Sequence, residues 1–293
     1  MPYERRITRE NPTAFLFLPD KSGSMGEEFG GNKSRGNNKA PTKADRVNDT
    51  LNRQLANITI ECSDQGEVVK DYFDVAVIEY GNPTVQSAWK GELAGEDFVP
   101  VSRLKDSPLR VETRTIEQAN DAGDIDEVEV KHPVWFDPES NGGTPMCEAL
   151  ELGHDYLKPW IDRHQESFPP VAVNVTDGKA TDGDPRPAAD KLRGLSTKDG
   201  DILLFNIHIS SADRKPILYP DSTDGLSSES ARHLFEMSSP LPPIFQEGLR
   251  GEGYEVGPGS RGYVFHADAV EMIRSIQSLI GTTLKQKRLP EAG

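Results

Sequence analysis

The chain has 293 residues, of which 35% are apolar, so it can bury a substantial core in one enlarged α/β domain or two small ones. We expect one domain over residues 1–293, with its core at about 13–284. A net charge of -15 repels phosphates, which excludes nucleic acid and anionic membranes as partners. The chain has no apolar run long enough to span a membrane and no apolar N-terminal segment, so we expect a soluble, cytoplasmic protein.

Five apolar runs predict buried parallel strands, because strands covered on both faces lose the alternation of apolar and polar residues. They lie at 13–18, 73–79, 171–176, 202–209 and 262–266. Segments with helical spacing of apolar residues predict helices at 43–58, 145–161, 186–195, 229–237 and 267–283. Strands that alternate with helices indicate an α/β fold, with a doubly wound, mostly parallel, Rossmann-like sheet and helices on both faces.

Some local features refine this prediction. Thr144 is expected to cap the helix at 145, and Pro145 suits its first position. Three segments do not follow the alternation and are expected to be long loops inserted in the domain, at 26–42, 91–132 and 211–261. Within the middle one, residues 109–116 and 127–136 can pair as a β-hairpin, although their alternation is imperfect.

Oxygen-bearing side chains follow two of the predicted strands. Asp20, Ser22 and Ser24 come directly after the first strand, and Asp177 comes directly after the third. Thr144 adds a hydroxyl beside a predicted helix start. Because the carboxyl ends of strands in a doubly wound sheet meet at the topological switch point, these oxygens can converge on one hard cation.

These five residues, in their order and with Thr144 in a Gly-Gly-Thr-Pro context, resemble the complete metal-ion-dependent adhesion site of von Willebrand factor type A domains. The resemblance runs from about Thr13 to Leu284, the whole predicted core, and the inserted segments fall between matched elements. It implies a divalent cation, usually magnesium, held by the hydroxyls directly and by the carboxylates directly or through water. It also implies a non-enzymatic adaptor whose cation binds an Asp or Glu side chain of a partner protein. Intracellular bacterial members, including those encoded with tellurite-resistance and stress-response genes, are the most similar type.

The donor set independently favours magnesium. Mg²⁺ prefers oxygen ligands at about 2.0–2.1 Å and keeps several waters, whereas Ca²⁺ takes about six to eight oxygens. A sparse set of hydroxyls and carboxylates therefore suits magnesium best, with manganese or calcium as alternatives. The long segment after Met25 departs from the usual family pattern, and it can either shape partner specificity or remain unstructured.

A metal-dependent hydrolase or phosphatase that uses the same cation is the main alternative function. Ser24, Asp177 and either His208 or His266 follow the chain order of an α/β-hydrolase triad. However, position 22 is Ser where the nucleophile elbow has Gly, and the sequence places no general base beside the metal. We expect His208 to be a strand residue in the core. A further alternative is metal-independent assembly through the inserted loops.

Two other ligand-binding motifs are incomplete. Residues 26–34 resemble a phosphate-binding loop, but Asn32 stands where that motif needs a glycine. Residues 137–148 reproduce most of a calcium-binding EF-hand loop, but Pro133 and Pro145 do not fit the helices that would flank it. Neither motif is favoured over the adhesion-type site.

Overall fold

The computed structural model describes residues 2–29, 40–64, 68–81, 83–119, 125–212 and 214–287. The strands are β1 (Thr13–Pro19), β2 (Ser63–Asp64), β3 (Val68–Val69), β4 (Phe73–Tyr80), β5 (Val85–Ser87), β6 (Val99–Pro100), β7 (Arg110–Ala119), β8 (Ile125–Val134), β9 (Val171–Thr176), β10 (Ser196–Thr197), β11 (Gly200–Asp201), β12 (Leu203–Ile209), β13 (Ile217–Leu218) and β14 (Tyr263–Ala267). The helices are α1 (Lys43–Glu61), α2 (Val101–Asp106), α3 (Met146–Arg163), α4 (Arg186–Arg193), α5 (Glu229–Met237), α6 (Pro243–Gly251) and α7 (Ala269–Lys285). All five predicted strands and all five predicted helices are present, with ends that differ by a few residues at most.

Eight strands form one sheet in the order β13-β14-β12-β9-β1-β4-β5, with β6 also paired to β4. Its five central strands are parallel, and β5, β6 and β13 are antiparallel additions. The chain leaves β1 towards β4 on one side and leaves the neighbouring β9 towards β12 on the other. The carboxyl ends of β1 and β9 therefore form the topological switch point of the sheet, where ligands bind in open α/β folds.

Helices cover both faces of the sheet, which confirms the predicted doubly wound α/β fold. Every residue of β1 is buried. Phe15 and Phe17 pack into the core beneath α1, α6 and α7, whereas Leu16 and Leu18 pack beneath α3, α4 and α5. Full burial of each such side chain stabilises the folded state by roughly 1.5–3 kcal/mol. Because both faces of the sheet are covered, apolar residues are favoured at every position of β1, and its sequence does not alternate between apolar and polar residues. No described helix is long and apolar enough to cross a membrane.

The segments that we expected to be loops contain more structure than the sequence predicts. The hairpin is confirmed, since β7 and β8 pair antiparallel from Arg110 with Val134 to Ala119 with Ile125. However, α2 and α6 were not predicted. The α6 segment packs through Phe245 and Leu249, but two glycines within its nine residues hide the helical pattern.

Candidate metal site

The loop after β1 carries three of the five candidate ligands and is fixed by its neighbours on both sides. Asp20 forms a parallel bridge with Tyr80, and the Lys21 N–H donates to the Tyr80 carbonyl over 2.7 Å. The Gly23 N–H donates to the Gly142 carbonyl over 2.9 Å. The contacts with Tyr80 continue the parallel pairing of β1 with β4, and the bond to Gly142 ties the loop to the segment before α3, so the loop is held from both sides. The Ser22 and Ser24 hydroxyl oxygens lie 3.2 Å apart within it.

Asp20 is a buried carboxylate, with 1% of its surface exposed. One oxygen accepts from the Ser22 N–H over 2.7 Å, and the other accepts from the Thr176 hydroxyl over 2.6 Å. Burial raises the pKa of Asp20 to about 6, although the hydrogen bonds from Thr176 and Ser22 act in the opposite direction. Within the described part of the chain Asp20 forms no ion pair. A buried carboxylate of this kind is suited to accept a cation.

Asp177 lies in the loop after β9 and connects this loop to the loop after β1 through a hydrogen bond. Its Oδ1 accepts from the Ser24 hydroxyl over 2.7 Å, and its side chain is 2% exposed. Asp20, Ser22, Ser24 and Asp177 are thus linked by hydrogen bonds at the switch point, some of them through Thr176 and the loop backbone.

Thr144 is buried at the same edge of the sheet but is tied to a different part of the loop after β9. Its N–H donates to the Thr181 hydroxyl over 2.8 Å, and its carbonyl accepts from the Thr181 N–H over 2.9 Å. Its hydroxyl lies 3.8 Å from the point where a Cβ on Gly178 would stand. Thr144 is therefore held next to Thr181 and Gly178, in the loop that also carries Asp177.

Thr144 does not cap α3, contrary to the sequence-based expectation. The helix begins one residue later than predicted, with Pro145 in the cap position and no cap from that side chain. Instead, the Asp182 carboxylate accepts from the N–H groups of Cys147 and Glu148 over 3.2 and 3.0 Å. Because Asp182 satisfies the helix start from another loop, the Thr144 hydroxyl has no capping role.

Lys43 is a residue of this site that sequence reasoning missed. Its ammonium group donates to Asp177 Oδ2 and to Glu27 Oε2, each over 2.7 Å. The Lys43 side chain is 6% exposed, whereas that of Glu27 is 63% exposed. Burial alone would lower the pKa of Lys43, but the hydrogen bonds to Asp177 and Glu27 outweigh it and raise the pKa. The available signal was a lysine at a predicted helix start, where the helix dipole disfavours a cation.

The geometry does not assemble a hydrolase triad around Ser24. Among the described residues, the Ser24 side chain is hydrogen-bonded to Asp177 and Ser22, not to a histidine. Instead, Nδ1 of His208 accepts a hydrogen bond from the backbone N–H of His266 over 3.3 Å. Burial lowers the pKa of His208 to about 4, and the neighbouring His266 adds to the shift. His208 is therefore a mostly buried, neutral strand residue near physiological pH.

Among the described residues, the segment that resembles an EF-hand does not provide a second metal site. In the EF-hand-like segment, Asp137 pairs with Arg110 over 2.7 Å and Glu139 with Lys90 over 3.5 Å, so these carboxylates face separate cations. Most of the segment that resembles a phosphate-binding loop, from residue 30 onwards, lies outside the described residues. In the part of the chain that the structure describes, no three His, Cys, Asp or Glu residues cluster as metal ligands. A cation at the switch point would thus depend on hydroxyls as well as on its two carboxylates.

A cleft of about 430 Å³ opens next to the candidate site. It begins at Gly178, directly after Asp177, and extends between the start of α4 and the first turns of α5. Its wall combines the apolar Met146 and Leu234 with charged residues of both signs, among them Arg186, Asp184 and Glu229. The edge of the sheet that carries the candidate ligands therefore also has room for part of another molecule.

No protein-family model matches the chain, and no curated protein matches it. Several solved structures are similar in fold, and two of them illustrate the likeness. One is a von Willebrand factor type A protein from Catenulispora acidiphila, with a TM-score of 0.38 and 15% identity over 68% of this chain and 33% of that one. The other is the manganese-loaded TRAP protein of Plasmodium vivax, with a TM-score of 0.43 and 14% identity over 92% of this chain and 74% of that one. This chain spans a third of the first protein's length, and both likenesses are weak, so the functional argument rests on the site itself.

Proposed function

We propose that this chain is a von Willebrand type A-like adaptor that binds a divalent cation at the five candidate residues and uses it to bind a carboxylate of a partner protein. The observation that carries the proposal is the convergence of candidate oxygen ligands at the topological switch point of the sheet. There, two buried carboxylates, Asp20 and Asp177, are brought together with the hydroxyls of Ser22 and Ser24.

The donor chemistry fits a hard divalent cation. All the candidate donors are oxygen atoms, and magnesium prefers oxygen ligands while retaining several waters. Two carboxylates balance the charge of one divalent ion, and neutral hydroxyl ligands leave the ion electrophilic. Asp20 supports this assignment most directly, because it is a buried carboxylate that forms no ion pair within the described residues. Magnesium is our first choice, and manganese and calcium are the alternatives.

The charge of the protein also supports a role for the cation in partner binding. A net charge of -15 repels an acidic partner at long range, so a carboxylate needs a local positive centre at which to bind. A divalent ion at the switch point would supply that centre. The cleft that begins at Gly178 would then accommodate residues of the partner on either side of its acidic side chain.

We further propose that the domain is not an enzyme, and that it belongs to the intracellular bacterial type that its sequence resembles. Asp177, the carboxylate that accepts from the hydroxyl of the candidate nucleophile Ser24, also accepts from the Lys43 ammonium. Both oxygens of Asp177 thus already accept hydrogen bonds, and a metal without a positioned base supplies only part of a catalyst.

Calorimetric titration with MgCl₂, MnCl₂ and CaCl₂ tests the cation. We expect saturable binding by the wild-type protein and its loss in Asp20→Ala, while Asp162→Ala, which removes an exposed carboxylate from α3, binds as the wild type does. Capture of proteins from the source cell's lysate in magnesium and in EDTA tests the partner. Retention that is equal in both buffers and unaffected by Asp20→Ala would contradict the adaptor function. Magnesium-dependent turnover of p-nitrophenyl phosphate that Asp177→Ala abolishes would favour a hydrolase.

A further inference from the structure

The candidate site contains a cation of its own, the ammonium group of Lys43. It lies 2.7 Å from Asp177 Oδ2 inside the protein and 2.7 Å from Glu27 Oε2 at the surface. Lys43 thus bridges a buried carboxylate that is a candidate metal ligand and an exposed carboxylate that is not. No other lysine or arginine pairs with Asp177 among the described residues.

The position of Lys43 is specified by the fold. It is the first residue of α1, and Thr42 and Asp45 form a capping box that fixes where the helix begins. The Lys43 N–H also donates to the Glu27 carbonyl over 2.9 Å, which ties the helix start to the segment that carries Glu27. A cation in the first helical turn is disfavoured by the helix dipole, so the contact with Asp177 must offset that cost.

A divalent ion at the switch point and the Lys43 ammonium would compete for the same carboxylate. Both are positive, and Asp177 is buried, so solvent screens their repulsion less than it would at the surface. Glu27 offers the ammonium an alternative partner that is largely exposed. We propose that Lys43 is a tethered competitor for the divalent cation: it holds Asp177 when no metal is bound and shifts towards Glu27 when the metal binds. This inference rests on the proposed metal site.

Two substitutions should change the affinity for magnesium in opposite directions. Lys43→Met removes the competitor but keeps a long, helix-favouring side chain, and we expect calorimetry to give about tenfold tighter Mg²⁺ binding. Glu27→Gln removes the alternative partner of the ammonium, and we expect binding to weaken by roughly three- to tenfold. In the double variant the effect of Glu27→Gln should vanish, because Glu27 acts through Lys43.

Thermal unfolding in EDTA provides a second readout. Lys43→Met should melt at a lower temperature than the wild type, since Asp177 is left buried without its ion pair, and magnesium should raise the melting temperature of this variant more than that of the wild type. Lys158→Met is the matched control. It also removes a lysine from a carboxylate pair, that with Asp162, but on an exposed face of α3 about 18 Å along the helix from its start. It should leave Mg²⁺ affinity unchanged.

The outcomes separate this inference from the proposed function. Tighter magnesium binding by Lys43→Met supports the competitor role, including the case in which only that variant binds magnesium. If the wild type binds magnesium and Lys43→Met binds equally or more weakly, the metal site stands and the competitor role is wrong. If Glu27→Gln weakens binding equally with and without Lys43, Glu27 acts directly on the metal and the proposed shift is wrong. If neither the wild type nor Lys43→Met binds any divalent ion, both proposals fail.

Discussion

Replacing Gly81 by alanine should damage the proposed metal site without changing any candidate ligand. Gly81 follows β4 and lies against the loop that carries the ligands from β1. A Cβ at this position would stand 2.8 Å from the Lys21 carbonyl oxygen and 3.2 Å from the Asn141 carbonyl oxygen. Both neighbours are backbone atoms, so the new methyl group cannot be accommodated by rotation of a side chain.

The size of the effect follows from these distances. The shorter contact, at 2.8 Å, falls about 0.6 Å below the 3.4 Å at which ordinary van der Waals contact begins, so the loop that contains Lys21 must move by a comparable amount. Functional sites tolerate displacements of about 0.5 Å, and magnesium demands near-ideal octahedral geometry. We therefore expect Gly81→Ala to weaken Mg²⁺ binding by about tenfold, which corresponds to about 1.4 kcal/mol. Calcium, whose coordination is more flexible, should lose less.

Calorimetry with MgCl₂ and CaCl₂ on the same preparations measures this difference. Gly281→Ala is the control, because a Cβ on this α7 glycine meets nothing within 4 Å. It should bind both ions as the wild type does. The reasoning is refuted if Gly81→Ala keeps wild-type Mg²⁺ affinity, or if it loses calcium as severely as magnesium.

Two predictions concern stability. Burial lowers the pKa of His208 from 6.5 to about 4, so the unfolded chain binds more protons in this window and stability is lost as the pH falls through it. Between pH 7.5 and 5.0 the free energy of unfolding, measured with urea, should fall by about 2 kcal/mol more in the wild type than in His208→Asn. Equal decreases would contradict the conclusion that His208 is buried in its neutral form. Gly262→Ala would place a Cβ 2.3 Å from the buried Phe205 ring, which should lower the free energy of unfolding by roughly 1–3 kcal/mol. Gly257→Ala is the control, because its Cβ would meet nothing within 4 Å, and it should leave the free energy of unfolding unchanged in the same assay.

Most of the strands and helices could be predicted from the sequence because they follow from local patterns of apolar residues. The position of Asp20 and Asp177 at the same edge of the sheet could be predicted because it follows from the topology. An apolar run such as that of β1 specifies a buried strand, and residues that follow neighbouring parallel strands emerge at one edge. The helix α6 could not be predicted because Gly248 and Gly251 interrupt the helical spacing of its apolar residues. The cap on α3 also required tertiary information, since Asp182 lies 35 residues from Cys147 in the chain.

Lys43 shows most clearly what the sequence could not supply. It contacts Asp177 across 134 residues, and only the folded arrangement of α1 over the end of β9 brings the two together. The contact matters because two neighbouring buried carboxylates would each bear a desolvation cost and would repel each other. The ammonium offsets this at Asp177, and at the proposed metal site the same charge would oppose the metal. Under the proposed function, stability without the ion and affinity for the ion would therefore be set against each other through the Lys43 side chain.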